Sequence, residues 1–149
     1  MEAFFEIFES GNIIKVEALE FQTFGSGNQY DKNWIKSKIT VKAGGFSGEY
    51  HADLMTVDFK QFEKQLSTLY DNLSGGAAFH DLEGYLEIRI IGDGVGHFEV
   101  NVTADDSPGA NSRTLTFSMT IDQTYIKPIV NNLKKITEAF PVKGSFRIN

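Results

Sequence analysis

Leu86-Glu87-Ile88-Arg89-Ile90, Phe98-Glu99-Val100-Asn101-Val102-Thr103 and Thr114-Leu115-Thr116-Phe117-Ser118-Met119-Thr120-Ile121 alternate apolar and polar side chains through three successive runs. Consecutive side chains of a strand point to opposite faces. Read as strands, the runs set Leu86, Ile88, Ile90, Phe98, Val100, Val102, Leu115, Phe117, Met119 and Ile121 on one face. Glu87, Arg89, Glu99, Asn101, Thr103, Thr114, Thr116, Ser118 and Thr120 fall on the other. The first face is a core wall and the second a wet surface.

The same period extends outward from this stretch. Ala3, Phe5 and Ile7, the turn chemistry of Ser10-Gly11-Asn12, then Ile14, Val16 and Ala18 predict a hairpin over residues 3–22. A change of phase between Val16 and Leu19 predicts a bulge. Residues 23–33 read as a loop, with Trp34 anchoring its end against the sheet. Ile35, Ser37, Ile39 and Val41 alternate with Lys36, Lys38, Thr40 and Lys42, and Gly44-Gly45 turns the chain into a strand over 46–55. The three lysines read either as a partner patch or as charges that guard a strand edge.

Two helices complete the pattern. Asp58 to Leu73 carries Phe59, Phe62, Leu66, Leu69, Tyr70 and Leu73 on one stripe, with Asp58 as N-cap and Gln61 closing a capping box. Gly75-Gly76 ends it, and Ala78 to Glu83 is a further strand candidate. The second helix runs from about Gln123 to Phe140, with Pro128 disturbing its first turns and Pro141 stopping it. Residues 145–149 read as a short edge strand or a frayed end. Together these elements predict an α+β fold, a curved, mostly antiparallel β-sheet with two amphipathic helices packed on its apolar face. A two-sheet sandwich with helical insertions is the alternative.

At 149 residues without a linker or low-complexity tract, residues 1–149 form one domain large enough for a real core. The chain has no cysteine, which excludes a disulfide framework and any thiolate metal or nucleophile site. Its first residues are acidic where a secretory signal is basic, and no apolar run reaches the span of a bilayer, so a cytoplasmic protein with no membrane partner is expected. A formal net charge of −6 opposes direct nucleic-acid binding and suits a basic partner.

No catalytic pattern emerges. His51, His80 and His97 lie in separate strands or strand ends without a metal-ligand spacing. Gly92-Asp93-Gly94-Val95-Gly96 passes from strand to strand, which makes it a hairpin turn and not a phosphate loop. Asp105 and Asp106 lack the alternating ligand spacing of a calcium loop. No cofactor, metal or catalytic residue is therefore expected. The acids nearest to a nameable surface are Glu87 and Glu99, expected close together on the polar face among threonines.

Tyr30-Asp31-Lys32-Asn33-Trp34-Ile35, the passage Leu54-Met55-Thr56-Val57-Asp58-Phe59, the strand pair 86–90 and 97–102, and the closing strand and helix of 115–140 carry a family resemblance. In this order of features the chain resembles the WapI family of bacterial immunity proteins, over about residues 12–141. The resemblance implies a non-enzymatic protein that protects its producer by binding a co-encoded toxin domain, often a nuclease. The expected contacts are Tyr30, Asp31, Glu87 and Glu99, with the acids meeting Lys or Arg and the tyrosine supplying area. A small-ligand or carbohydrate binder using Trp34 and Tyr30 is the rival reading.

Overall fold

The computed structural model describes residues 3–22 and 33–144. Strands β1 (Ala3–Glu9), β2 (Asn12–Phe21), β3 (Trp34–Ala43) and β4 (Phe46–Met55) run into helix α1 (Thr56–Asn72). Strands β5 (Ser74–His80), β6 (Leu86–Asp93), β7 (His97–Asp105) and β8 (Thr114–Asp122) then run into helix α2 (Gln123–Ala139). The α+β class, the antiparallel pairing and the two helices are those expected from the sequence. The strands divide into two four-stranded sheets, β1-β2-β3-β4 and β5-β6-β7-β8, each paired in chain order. Four strands and a helix thus occur twice, a repeat of architecture with no repeat of sequence.

The division has a local cause. The 17 residues of α1 lie between β4 and β5, a rod of about 25 Å that carries the chain away from its first sheet. The two sheets and helices nevertheless share one core. Phe5 of β1 meets Phe59 and Phe62 of α1 and Phe79 of β5 at ring centroid distances of 6.2, 5.6 and 5.8 Å. Val100, Val102, Leu133 and Ile136 belong to the same buried cluster.

Turns fix the register. Ser10 and Gly11 take positive φ at the β1–β2 turn, the left-handed conformation that a two-residue hairpin requires. The bulge expected in β2 is found between Ala18 and Glu20, leaving Leu19 exposed. The lysines of β3 need a different explanation from edge protection. β3 lies inside its sheet between β2 and β4, and Lys38 is held by Glu49 of β4 at 2.8 Å. That ion pair raises the Lys38 pKa.

The α1 N-terminus also departs from the sequence reading. The N-cap is Met55, not Asp58; the carboxylate of Asp58, three residues on, accepts the Met55 N–H at 2.9 Å. Asp58 therefore performs the returning half of a capping box instead of starting the helix. Leu73 in the left-handed region ends α1, and Gly75 and Gly76 belong to β5. α2 starts where expected, with Asp122 as N-cap accepting the Thr124 N–H at 2.9 Å. Pro128 sits inside α2, where its ring nitrogen has no proton to give the Thr124 carbonyl.

Burial pushes the Asp58 carboxyl up to about 7, against the lowering effect of the Met55 N–H and with help from the Asp81 charge. A carboxyl raised in the folded state favours folding below its unfolded pKa near 4, and that contribution is lost as pH rises through about 7. Asp58→Asn keeps an oxygen for Met55 and removes the charge. Its expected stability equals wild type near pH 4 and exceeds it at pH 8, by on the order of 1–2 kcal/mol after partial exposure is allowed for. Denaturant unfolding at the two pH values checks this; a variant weaker than wild type at pH 8 would contradict it.

Candidate partner-binding surface

The outward face of the second sheet is built by cross-strand rows. His80, Glu87, Thr103 and Thr116 form one row, Ala78, Arg89, Asn101 and Ser118 the next, and Gly76, Ile91, Glu99 and Thr120 a third. The opposite side chains Leu86, Ile88, Ile90, Phe98, Val100 and Val102 are buried, so the polar set faces water as period two requires. Short, β-branched or small residues dominate the rows, and these lose little rotamer freedom when a surface is covered.

Glu87 and Glu99 share this face but are not neighbours. The β6–β7 turn pairs Gly92 with Phe98, which sets Glu99 opposite Ile91 and Glu87 opposite Thr103. The row of Arg89 and Asn101 lies between them, so they stand about 13 Å apart along the strands. Glu87 is moreover engaged: its Oε1 accepts from Arg89 Nε at 2.9 Å. Residues i and i+2 of a strand share a face, so this pair was available from spacing alone. Glu99 has no ion pair among the described residues. Ser118 donates to Asn101 at 2.6 Å in the middle row. Tyr30 and Asp31 lie outside the described residues.

Around this face the loops are tied by carboxylates. Asp93 accepts the Val95 and His97 N–H groups at 2.8 and 3.1 Å, which holds its pKa below the usual range. Asp81 accepts from Tyr85 and Leu86 N–H at 3.1 and 2.9 Å. Tyr50 donates its hydroxyl to the Tyr85 carbonyl at 2.6 Å, and burial raises the phenol pKa.

The outward face of the first sheet is more heavily charged. Glu20, Lys36 and Asp53 make one row, Glu17, Lys38 and His51 the next. A polar cleft of about 460 Å³ opens beside the first row, lined by Phe21, Gln22, Lys36, His51, Asp53 and Tyr85 among others; Trp34 is not part of it. Gln22 donates to the Asp53 carboxylate there. His51, His80 and His97 lie on three different strands, and among the described residues no group of three His, Cys, Asp or Glu is placed to hold a metal ion. No helix among them is long and apolar enough to cross a membrane.

The family model for "Immunity protein WapI-like family" matches residues 5–141, nearly the whole chain. The chain belongs to the WapI-like immunity protein family. The match spans both ββββα units. No curated protein sequence matches the chain. Among solved structures, the chain is similar to WHY1 from Arabidopsis thaliana, with 12% identity over 94% of this chain and 91% of that one and a TM-score of 0.48. It is similar to WHY3 from the same plant, with 13% identity over 92% and 87% and a TM-score of 0.49.

Proposed function

We propose that this WapI-like chain is a non-enzymatic immunity protein that binds a co-encoded toxin domain in the cytoplasm and occludes it with the outward face of the second sheet. The observation that supports this most is the family match over residues 5–141. The surface chemistry agrees with it. A net charge of −6 favours encounter with a basic domain such as a nuclease, and the threonine-rich rows offer a flat area that loses little entropy on contact. Glu99 is the free acid of that face, Glu87 exchanges Arg89 for a partner cation, and Tyr30 and Asp31, from the sequence before β3, add contacts.

The test is binding of the toxin domain encoded beside this gene, by calorimetry and by rescue of growth on co-expression. Glu87→Lys with Glu99→Lys is expected to weaken binding at least 100-fold, because two attractions become repulsions at a surface a partner must cover. Both sites are exposed or half-exposed, so thermal stability should stay close to wild type. Unchanged affinity would reject this face, and absent binding of wild type would reject the partner class.

A further inference from the structure

Among the described residues the β4 edge is open at its start, where Phe46, Ser47, Gly48 and Glu49 are all exposed. Hydrogen-bonded pairs alternate along an antiparallel ladder, and two observations fix their phase here. The two-residue turn closes on Ala43 and Phe46, and Thr56 N–H donates to the Asn33 carbonyl at 3.0 Å. Phe46, Gly48 and Tyr50 therefore bond to β3, and Ser47, Glu49 and His51 turn their N–H and C=O groups away from it. The Met55 N–H belongs to that outward set and is taken by Asp58, in agreement. Among the described residues no backbone group bonds to the edge at Ser47 or Glu49. Apart from Glu49 this stretch has no charge or Pro to guard the edge, and no element among the described residues covers it.

Beside it lies a groove of about 400 Å³. Phe46, Gly48, Tyr50 and Val41 form one wall, and Ala104, Asp106, Thr114 and Leu115, at the end of β7 and the start of β8, form the other. Asp106 Oδ2 stands 3.6 Å from Arg113 Nη1, whereas its Oδ1 is buried with no hydrogen-bond partner. A carboxylate oxygen withdrawn from water without a donor is costly, and a cation entering the groove offsets that cost by meeting the same carboxylate on its half-exposed side. The groove also continues the proposed face, since Thr114 and Leu115 lead directly to Thr116 in the row of Glu87.

We infer that an extended segment of the partner protein adds as a strand to the β4 edge at Ser47 and Glu49, with an apolar side chain in the groove and a Lys or Arg on Asp106. Backbone bonds along the edge give such a segment affinity, and the groove selects its side chains. A second copy of this chain fits less well where β4 pairs antiparallel with itself about His51, because that register sets Glu49 of one copy opposite Asp53 of the other. The inference rests on the proposed immunity role and adds how the partner is held.

The experiment uses the toxin domain encoded beside the gene as probe, with the full chain as wild type, Ser47→Pro and Asp106→Asn. Proline is tolerated where the N–H faces outward on an edge, so Ser47→Pro removes one donor and obstructs the incoming strand. Its expected effect is at least tenfold weaker binding at unchanged melting temperature; Asp106→Asn should weaken binding several-fold. In wild type, the Ser47 and Glu49 amides should exchange rapidly when free and become protected in the complex. Exchange in wild type and Asp106→Asn decide the matter even if Ser47→Pro does not fold. Tight binding with these amides still exchanging and Asp106→Asn at full affinity would overturn the inference and leave the immunity role standing. Failure of wild type to bind at all would overturn both. Protection of the same amides in a concentration-dependent dimer without toxin would overturn it in favour of self-pairing.

Discussion

Phe79→Ala is expected to lower the unfolding free energy by about 3–5 kcal/mol, the range for truncating a buried phenylalanine. Phe79 is fully buried, and its ring lies 5.8, 5.4 and 5.8 Å from those of Phe5, Phe59 and Phe62. Those partners come from β1 and α1, so this single side chain joins the second sheet to the first unit. Alanine leaves a cavity between elements that cannot all collapse toward it, and three edge-to-face or tilted ring contacts go with it. Equilibrium urea unfolding would measure the loss. A drop below about 1 kcal/mol would mean that the halves are held together elsewhere.

Gly92→Ala should cost about 2–4 kcal/mol, a large effect for one methyl group. A Cβ at residue 92 would stand 2.2 Å from the Leu73 carbonyl oxygen and 3.0 Å from the Phe98 ring. The nearest obstacle is backbone, and that carbonyl also accepts the Gly94 N–H at 2.9 Å. The end of α1 is thereby clamped to the β6–β7 turn, and a methyl must either displace the helix end or break that bond. Thermal unfolding of Gly92→Ala beside Gly94→Ala separates close approach from backbone conformation. Gly94 has positive φ and a Cβ there would make only an ordinary 3.9 Å contact with Ser74 Cβ, so its cost is conformational and about 1 kcal/mol. Equal effects at the two positions would contradict the clamp.

Much of this was legible in the residues because burial imposes a period. Every apolar member of the runs 86–90 and 98–102 is buried, and the two helices start within two residues of expectation or better. The choice between one sheet and two was not legible, and the structure takes the two-sheet alternative. Alternation reports which face of a strand is wet, and it carries no information about which strands are neighbours; pairing is decided by connections such as α1. The same gap explains the lysines of β3, whose side chains look the same from sequence on an edge or in the middle of a sheet. Asp58 was misplaced because a carboxylate can cap from either the first position or the fourth, and the backbone angles of Met55 choose between them.

The surface shows the same limit. Period two correctly assigned Glu87 and Glu99 to the wet face, but their separation depends on register, which the turn at 94–96 sets. The open β4 edge and its groove gave no sequence signal, since Phe46-Ser47-Gly48-Glu49 looks like any strand start and its exposure arises from where the second sheet ends.

The outward face of the second sheet is best tested through its threonines. Methyl resonances of Thr103, Thr116 and Thr120 on that face, with Thr68 of α1 and Thr137 of α2 as references, can be followed as the neighbouring toxin domain is added. Shifts or broadening at Thr103, Thr116 and Thr120 with Thr68 and Thr137 unmoved are the expected result. A saturated complex in which only the helix threonines respond would contradict it.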